Sequence, residues 1–261
     1  MNIVPRWEGA QRPGVAFMAL KWILFPGTNL HARLRYRRLP VHFATVQPGE
    51  DRRVLDAGCG NGMLSYQSYR KGNRVTGISI KDHEVSGCRA LFNHYLGLPE
   101  ERICFRKKNL YEVNLEPESY DEIVCTEVLE HIKEDGAICR KLYEALKPGG
   151  VLHVTAPNAD HPYNAGLRLD MEEQGGHVRP GYTRESLRAL LEPIGFRIEL
   201  WVALGGPVRQ GFNRRIKALQ ARLGAAAGLP LFLLALPCLV FEDVRTERKA
   251  PVSIYVRAVK I

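Results

Sequence analysis

The run Asp56-Ala57-Gly58-Cys59-Gly60-Asn61-Gly62 carries residue types that can hold a small ligand. Glycines at alternate positions let a backbone come close to a bound molecule, and a helix starting just beyond them favours negative charge at its N-terminus. The spacing Gly58-x-Gly60-x-Gly62 is not the Gly-x-Gly-x-x-Gly of dinucleotide-binding turns. Asp56, just ahead of the turn, would repel a pyrophosphate and attract a cationic amine. A ligand with both an amino group and a carboxylate suits this combination. Three histidines are candidate bases for removing a proton from an oxygen: His131 after a strand end, His161 in Asp160-His161-Pro162, and His177 in Gly176-His177-Val178. Tyr163 and Tyr182 are candidate orienting groups. His153 lies inside an apolar run and reads as a satisfied core residue. The histidines lack a His-x-x-x-His spacing, so no metal is expected. Glu127 and Glu130 resemble a hydrolytic carboxylate pair, but cofactor contact for one and helix N-terminal charge for the other is the favoured reading.

Something must position these residues, and the middle of the chain supplies it. Short apolar runs at Arg53–Asp56, Arg74–Ile78, Ile103–Phe105, Glu122–Thr126 and Val151–Thr155 alternate with helical patterns at Asn61–Tyr69, His83–Leu96 and Lys133–Leu146. Pro148-Gly149-Gly150 stops the last of these. A helix over Arg184–Ile194, capped by Thr183, and strands at Phe196–Val202 and Val252–Val259 complete the set. The pattern predicts an α/β fold: a doubly wound, seven-stranded sheet with an N-terminal helical segment and an apolar helical insertion before the last strand. The expected organisation is an N-terminal basic and apolar segment (1–49), a core (50–204 with 250–261) and an insertion (205–249).

Three motifs in order carry a family resemblance. Val54-Leu55-Asp56-Ala57-Gly58-Cys59-Gly60-Asn61-Gly62 resembles the first motif of class I S-adenosylmethionine-dependent methyltransferases. Glu127-Val128-Leu129-Glu130-His131-Ile132 is similar to the segment after the fourth strand in the branch with the ubiquinone-type O-methyltransferases. Leu146-Lys147-Pro148-Gly149-Gly150 matches the turn before the fifth strand. The resemblance implies a Rossmann-like fold and S-adenosyl-L-methionine as cofactor. It implies that Gly58, Cys59 and Gly60 approach the methionine end, with Asp56 near the amino group and Glu127 and Val128 on the other side. His131 would stand near the transferred methyl group. Ser79 and Ile80, with Asn109 and Leu110, would serve the ribose and adenine end. Two positions depart from the family pattern. Ser79 stands where a carboxylate usually ends the second strand, and Asn109 where Asp is common. Asp82 is a candidate substitute for the first.

Composition frames the acceptor. The chain of 261 residues has a net charge of +9, and the excess lies in its flanks. Residues 1–50 hold seven Lys/Arg against two Glu, and residues 205–250 hold eight against three acids, whereas 51–204 are slightly acidic. Phe17–Phe25 is apolar with one charge, and Leu223–Phe241 has none. The latter reaches the length of a membrane span. Prolines and glycines, and the pairing expected of the strands on either side, argue instead for an interfacial pair of short helices or a lid over the pocket. Basic residues at 33, 35, 37, 38, 209, 214, 215, 217 and 222 suit an anionic membrane surface, contacted through residues 15–38 and 209–241. The expected activity is methylation, at oxygen, of a small apolar or membrane-resident acceptor. The alternatives are a cofactor-binding scaffold without methyl transfer, and an RNA methyltransferase; no aromatic-basic RNA motif supports the last. Scattered cysteines without a Cys-x-x-Cys pair, and an N-terminus unlike a signal peptide, suit a cytoplasmic protein, membrane-associated on the cytoplasmic face.

Overall fold

The computed structural model describes residues 27–170, 172, 173, 175–243 and 251–261. The expected apolar segment Phe17–Phe25 lies outside them. Seven strands form one sheet in the order β3-β2-β1-β4-β5-β7-β6. They are β1 (Arg53–Ala57), β2 (Arg74–Ser79), β3 (Ile103–Lys107), β4 (Tyr120–Thr126), β5 (Leu146–Pro157), β6 (Phe196–Leu204) and β7 (Ser253–Lys260). The first five run parallel, and β7 pairs antiparallel with both β5 and β6. Strand order reverses between β1 and β4, and the crevice beyond the carboxyl ends of strands at such a point is where open α/β sheets bind ligands.

Helices cover both faces, so the central strands are buried along most of their length. On one face α2 (Met63–Arg70), and α3 (Asp82–Cys88) with its wider turn Arg89–Tyr95, bury Leu64, Val85, Leu91 and Phe92 against Val54, Val75 and Phe105. On the other, α4 (Asp135–Ala145) and α5 (Arg184–Leu191) bury Ile138, Leu142, Leu187 and Leu191 against Leu55, Ile123 and Leu152. Thr183 caps α5 through a reciprocal bond with Ser186. The core histidine behaves as expected: His153 bonds Glu122 at 2.5 Å and Tyr255 at 2.7 Å, all buried.

Two elements lie outside this frame. Helix α1 (Leu30–Arg38), capped by Asn29, crosses the sheet's ligand-binding end. The insertion forms α6 (Pro207–Leu223) and α7 (Leu229–Asp243). It leaves and rejoins the sheet at paired positions, Leu204 opposite Ser253, which is the geometry that forbids a single membrane crossing. No described helix is long and apolar enough to cross a membrane. Leu30, Ile216, Phe232 and Ala235 join α1, α6 and α7 in a small core of their own.

Candidate functional site

The glycine turn links β1 to α2. Gly58, Gly60 and Gly62 all have positive φ, which glycine adopts without strain. At Gly58 a side chain is also excluded by space: a Cβ would lie 2.3 Å from Val128 Cγ2. Val128 follows β4, so the two expected cofactor positions are in mutual contact. At Gly60 a Cβ would meet nothing within 4 Å, so the turn is open there. Cys59 is buried in the core with its amide bonded to the Ile78 carbonyl. Its carbonyl in turn accepts from the Gly62 amide at 2.8 Å.

Asp56 lies beneath the turn and is 1% exposed. One oxygen accepts from the Ser65 hydroxyl at 2.5 Å, and the other has no hydrogen-bond partner among the described residues. Burial raises its pKa to about 6. The unpartnered oxygen is what a buried ammonium would satisfy.

At the end of β2, Ser79 donates to Glu84 Oε2 at 2.6 Å. Asp82, the expected substitute, is mostly exposed and pairs with Lys107 at 2.7 Å. The carboxylate at this end of the cleft therefore comes from Glu84, in the first turn of α3. Ile80 is exposed beside it and Leu110 is buried. The Asn109 carbonyl oxygen accepts from the Tyr111 amide at 3.0 Å, an Asx turn that engages the atom expected to face adenine.

The segment after β4 holds two carboxylates of opposite character. Glu127 has φ +54°, a conformation costing a non-glycine residue about 1–3 kcal/mol. Its side chain accepts from Thr155 at 3.2 Å and Ser253 at 3.1 Å and pairs with Arg35 of α1 at 3.2 Å. These contacts tie α1 to β5 and β7, so its oxygens are engaged within the protein. Arg35 is thereby engaged at the end of β4, and Tyr36 next to it donates to Asn61 of the glycine turn at 3.2 Å. Nothing local to Arg35 or Tyr36 signals this; their partners come from β4 and the turn.

Glu130, on the helical turn Leu129–His131, is 0% exposed, and among the described residues neither oxygen has a hydrogen-bond partner. Burial first, and Glu127 second, push its pKa well above the usual carboxylate range. His131 Nε2 is 4.0 Å from Glu130 Oε1. His131 Nδ1 bonds the Gly176 carbonyl at 2.7 Å, which leaves Nε2 free to accept. His177 packs edge-on against His131 with ring centroids 4.7 Å apart, and its Nδ1 is buried without a partner. The loop carrying His177 is pinned by Val178 N–H to the Glu130 carbonyl at 2.9 Å and by Arg179 to Asp135 and the Ile132 carbonyl.

One ligand atom from each of Glu130, His131 and His177 falls within 4.8 Å of the others. Two imidazoles and a carboxylate, with one ring oriented through its second nitrogen onto a carbonyl, are what a divalent transition-row cation takes. The expectation of no metal rested on local spacing; these groups meet through tertiary structure. The adjacent pair Glu130-His131 was the visible half of the set.

The other candidates separate. His161 caps the turn Pro162–Ala165 by accepting from the Tyr163 amide at 3.3 Å and stands apart from the cluster. The Tyr182 hydroxyl donates to the Leu129 carbonyl and to Asp135, a structural task. Tyr163 instead helps line a cavity of about 250 Å³ bounded by α1, α6, Glu127 and His177. Arg209, an expected head-group anchor, is buried and donates to the Leu30 carbonyl at 3.3 Å.

Residues 29–200 match the family model of a methyltransferase domain. The ubiquinone biosynthesis O-methyltransferase of Xanthomonas campestris pv. campestris (strain B100) is 35% identical over 134 residues, 51% of this chain and 54% of that protein. The chain thus spans about half the length of that relative. A solved S-adenosylmethionine-dependent methyltransferase from Mesorhizobium loti superposes with a TM-score of 0.58 at 19% identity, covering 88% of this chain and all of that one. Haemonchus contortus phosphoethanolamine N-methyltransferase 2, in complex with S-adenosyl-L-methionine, gives 0.60 at 19%, covering 93% and 56%. With the strand order, the glycine turn and a family model matching well over half its length, this chain belongs to the methyltransferase-domain family, with the Rossmann-like α/β fold.

Proposed function

We propose that this chain transfers a methyl group from S-adenosyl-L-methionine to an oxygen of a small acceptor, with a divalent cation held by Glu130, His131 and His177. The observation that carries this reading is the position of that cluster, two residues beyond the Val128 side chain that packs on Gly58 of the cofactor turn. The cofactor supplies an electrophilic methyl for in-line displacement, so alignment is the main work of the protein. The turn at Gly58–Gly60 and the Asp56 oxygen serve the methionine end. Ser79 and Glu84 serve the ribose hydroxyls. A divalent cation would make a coordinated hydroxyl more acidic at neutral pH. The O–methyl bond forms as the S–methyl bond breaks, S-adenosylhomocysteine leaves, and the acceptor's proton passes to solvent, because Glu130, His131 and His177 would be taken up by the cation. The Xanthomonas relative, named as an O-methyltransferase of ubiquinone biosynthesis, supports oxygen as the acceptor atom.

An anionic membrane surface is the proposed docking partner. Leu233, Leu234 and Leu236 of α7 are 40–65% exposed, and Arg214, Arg215 and Arg222 of α6 are exposed. Residues 15–26, also expected to take part, lie outside the described residues. The test incubates the protein with methyl-labelled cofactor and a cell extract, with and without chelator, and then separates lipid, soluble and RNA fractions. Label in the lipid or soluble fraction, lost with chelator and restored by Mg²⁺ or Mn²⁺, is expected. Label in RNA would favour the RNA reading. Calorimetric cofactor binding with no label anywhere would favour a scaffold.

A further inference from the structure

Glu122, His153 and Tyr255 form a buried polar set that methyl transfer does not use. One comes from each of β4, β5 and β7, on the face that α2 and α3 cover. The His153 ring donates from Nε2 to Glu122 Oε1 at 2.5 Å and accepts at Nδ1 from the Tyr255 hydroxyl at 2.7 Å. Burial pushes the Tyr255 phenol up, which keeps its proton in that bond. All three residues are at most 1% exposed. A polar set in an apolar interior stabilises no more than apolar packing of the same volume, and its gain lies in fixing one geometry.

The geometry it fixes is that of the segment after α1. Glu122 Oε2 accepts from the Ala44 amide at 3.2 Å. The Phe43 ring stands edge-on to His153 with centroids 5.1 Å apart, and the His42 ring stacks on Tyr255 at 5.4 Å. Lys71 and Asn73, beyond α2, take the Phe43 and Ala44 carbonyls at 2.7 and 2.9 Å. The segment runs into α1 without a break in hydrogen bonding: Phe43 donates to Pro40 at 3.3 Å, and His42 to Leu39 and Leu39 to Arg35 at 2.9 Å each. At its other end α1 sets Arg35 on Glu127 and Tyr36 on Asn61. Asn61 Oδ1 also accepts from the Met63 amide at 3.2 Å, where the glycine turn becomes α2. The β4 chain therefore holds the N-terminal segment at two points, through Glu127 at the cleft and through Glu122 near the opposite end of the strand.

We propose that Glu122 and His153 are positioning residues for the cofactor: by holding His42, Phe43 and Ala44 they set the register of α1, and so bring Tyr36 to the Asn61 side chain of the glycine turn. This role needs cofactor binding alone and is independent of the acceptor and of the cation.

The probe is S-adenosylhomocysteine, titrated calorimetrically into the full chain. His153→Leu, which removes both ring bonds, is expected to weaken binding about five- to twentyfold, and Tyr36→Phe about three- to tenfold. The double variant should bind within about twofold of the weaker single variant, because both changes act on one contact. His153→Gln, whose amide still donates to Glu122, should recover affinity to within about threefold of the unaltered protein. Unchanged affinity in a folded His153→Leu overturns the proposal and leaves the set as core packing. Unchanged affinity in Tyr36→Phe, or losses that multiply in the double variant, overturns the route through α1. Where His153→Leu does not fold, Ala44→Pro decides. It deletes the amide that Glu122 accepts from and leaves the buried set intact, and Phe43 at ψ 141° already has the extended backbone that precedes a proline. Weakened binding in that variant supports the role, and unchanged binding overturns it. Deuterium exchange on the weakened variants should be faster in the amides of α1 and unaltered in those of β4. Equal acceleration in both would make the loss one of global stability and overturn the proposal.

Discussion

Glu127 and Glu130 stand three residues apart after the same strand, and the surroundings of each are opposite. Around Glu127 every oxygen is engaged, by Arg35, Thr155 and Ser253, and the backbone accepts a left-handed conformation to keep it so. Around Glu130 the fold provides burial and, among the described residues, no hydrogen-bond partner, with the His131 imidazole 4.0 Å away and His177 packed on it. A carboxylate that a fold has satisfied holds structure together. One that a fold has buried and left unsatisfied costs stability unless something else arrives, and a native structure tolerates it where a ligand does. On this difference we propose that Glu127 serves the docking of α1 and Glu130 the proposed chemistry.

Exchanging each for glutamine gives the sharpest way to break this comparison. Glu130→Gln should lower turnover by about 100-fold or more and abolish the thermal stabilisation produced by Mn²⁺, while leaving metal-free stability within about 0.5 kcal/mol. Glu127→Gln should do the reverse. It should lower the unfolding free energy by about 1–2 kcal/mol, a figure discounted for partial exposure of the pair, and cost less than about tenfold in turnover. Urea unfolding and initial rates measure both. Loss of stability at Glu130 with loss of activity at Glu127 would invert the assignment.

The Glu127 region should also respond to pH through His31 on α1. Burial lowers its folded-state pKa to about 4 from 6.5, with Arg35 and Arg209 adding to the effect and the Gln210 bond opposing it. The unfolded chain therefore binds more protons than the folded one between those values. Stability from the neutral imidazole is fully present above pH 6.5 and is lost as the pH falls towards 4. The loss is about 3 kcal/mol at most. His31→Asn should flatten that part of the stability profile. An unchanged slope between pH 6.5 and 4 would place the acid sensitivity elsewhere.

These regions also differ in how far the sequence discloses them. The glycine turn is local chemistry: alternate glycines after a short apolar strand fix both the backbone and the ligand class, and the seven strands follow from period and punctuation. The return of the insertion at β7 was legible as topology. Glu130, His131 and His177 were each visible, but not as a set, because 46 residues separate the two histidines and the bonds that join them run through Gly176, Val178 and Arg179. Arg35 reads as one of several exposed arginines until β4 is placed beside it. Asn109 matches a family position, yet a turn to Tyr111 takes its oxygen. Spacing reveals what a backbone does nearby, whereas an ion pair or a ligand set depends on which loops the sheet brings together.

The smallest expected effect concerns a second pair of positions, at the other end of the cleft. Ser79 ends β2, and its hydroxyl donates to Glu84 at 2.6 Å while accepting from the Lys81 amide at 3.1 Å, and the carboxylate keeps one oxygen towards the Lys81 ammonium at 3.6 Å. A ribose hydroxyl would find a charged acceptor here only through Glu84. Charge-assisted hydrogen bonds are about twice as strong as neutral ones, but Glu84 is shared with Ser79 and Lys81, which reduces the gain. Glu84→Gln should therefore weaken S-adenosylhomocysteine binding by about three- to tenfold, which is about 0.7–1.4 kcal/mol. Ser79→Ala should cost less, because the carboxylate remains. Asp82→Asn should leave affinity unchanged, because that side chain is spent on Lys107 outside the cleft. Calorimetry on the three variants ranks them directly. A larger loss at Asp82 than at Glu84 would return the ribose contact to the turn and leave Glu84 as a cap for α3. The order Glu84, Ser79, Asp82 would extend the contrast drawn at β4 to β2, since there too the acid that is satisfied on the surface and the acid that is held at the cleft have different work.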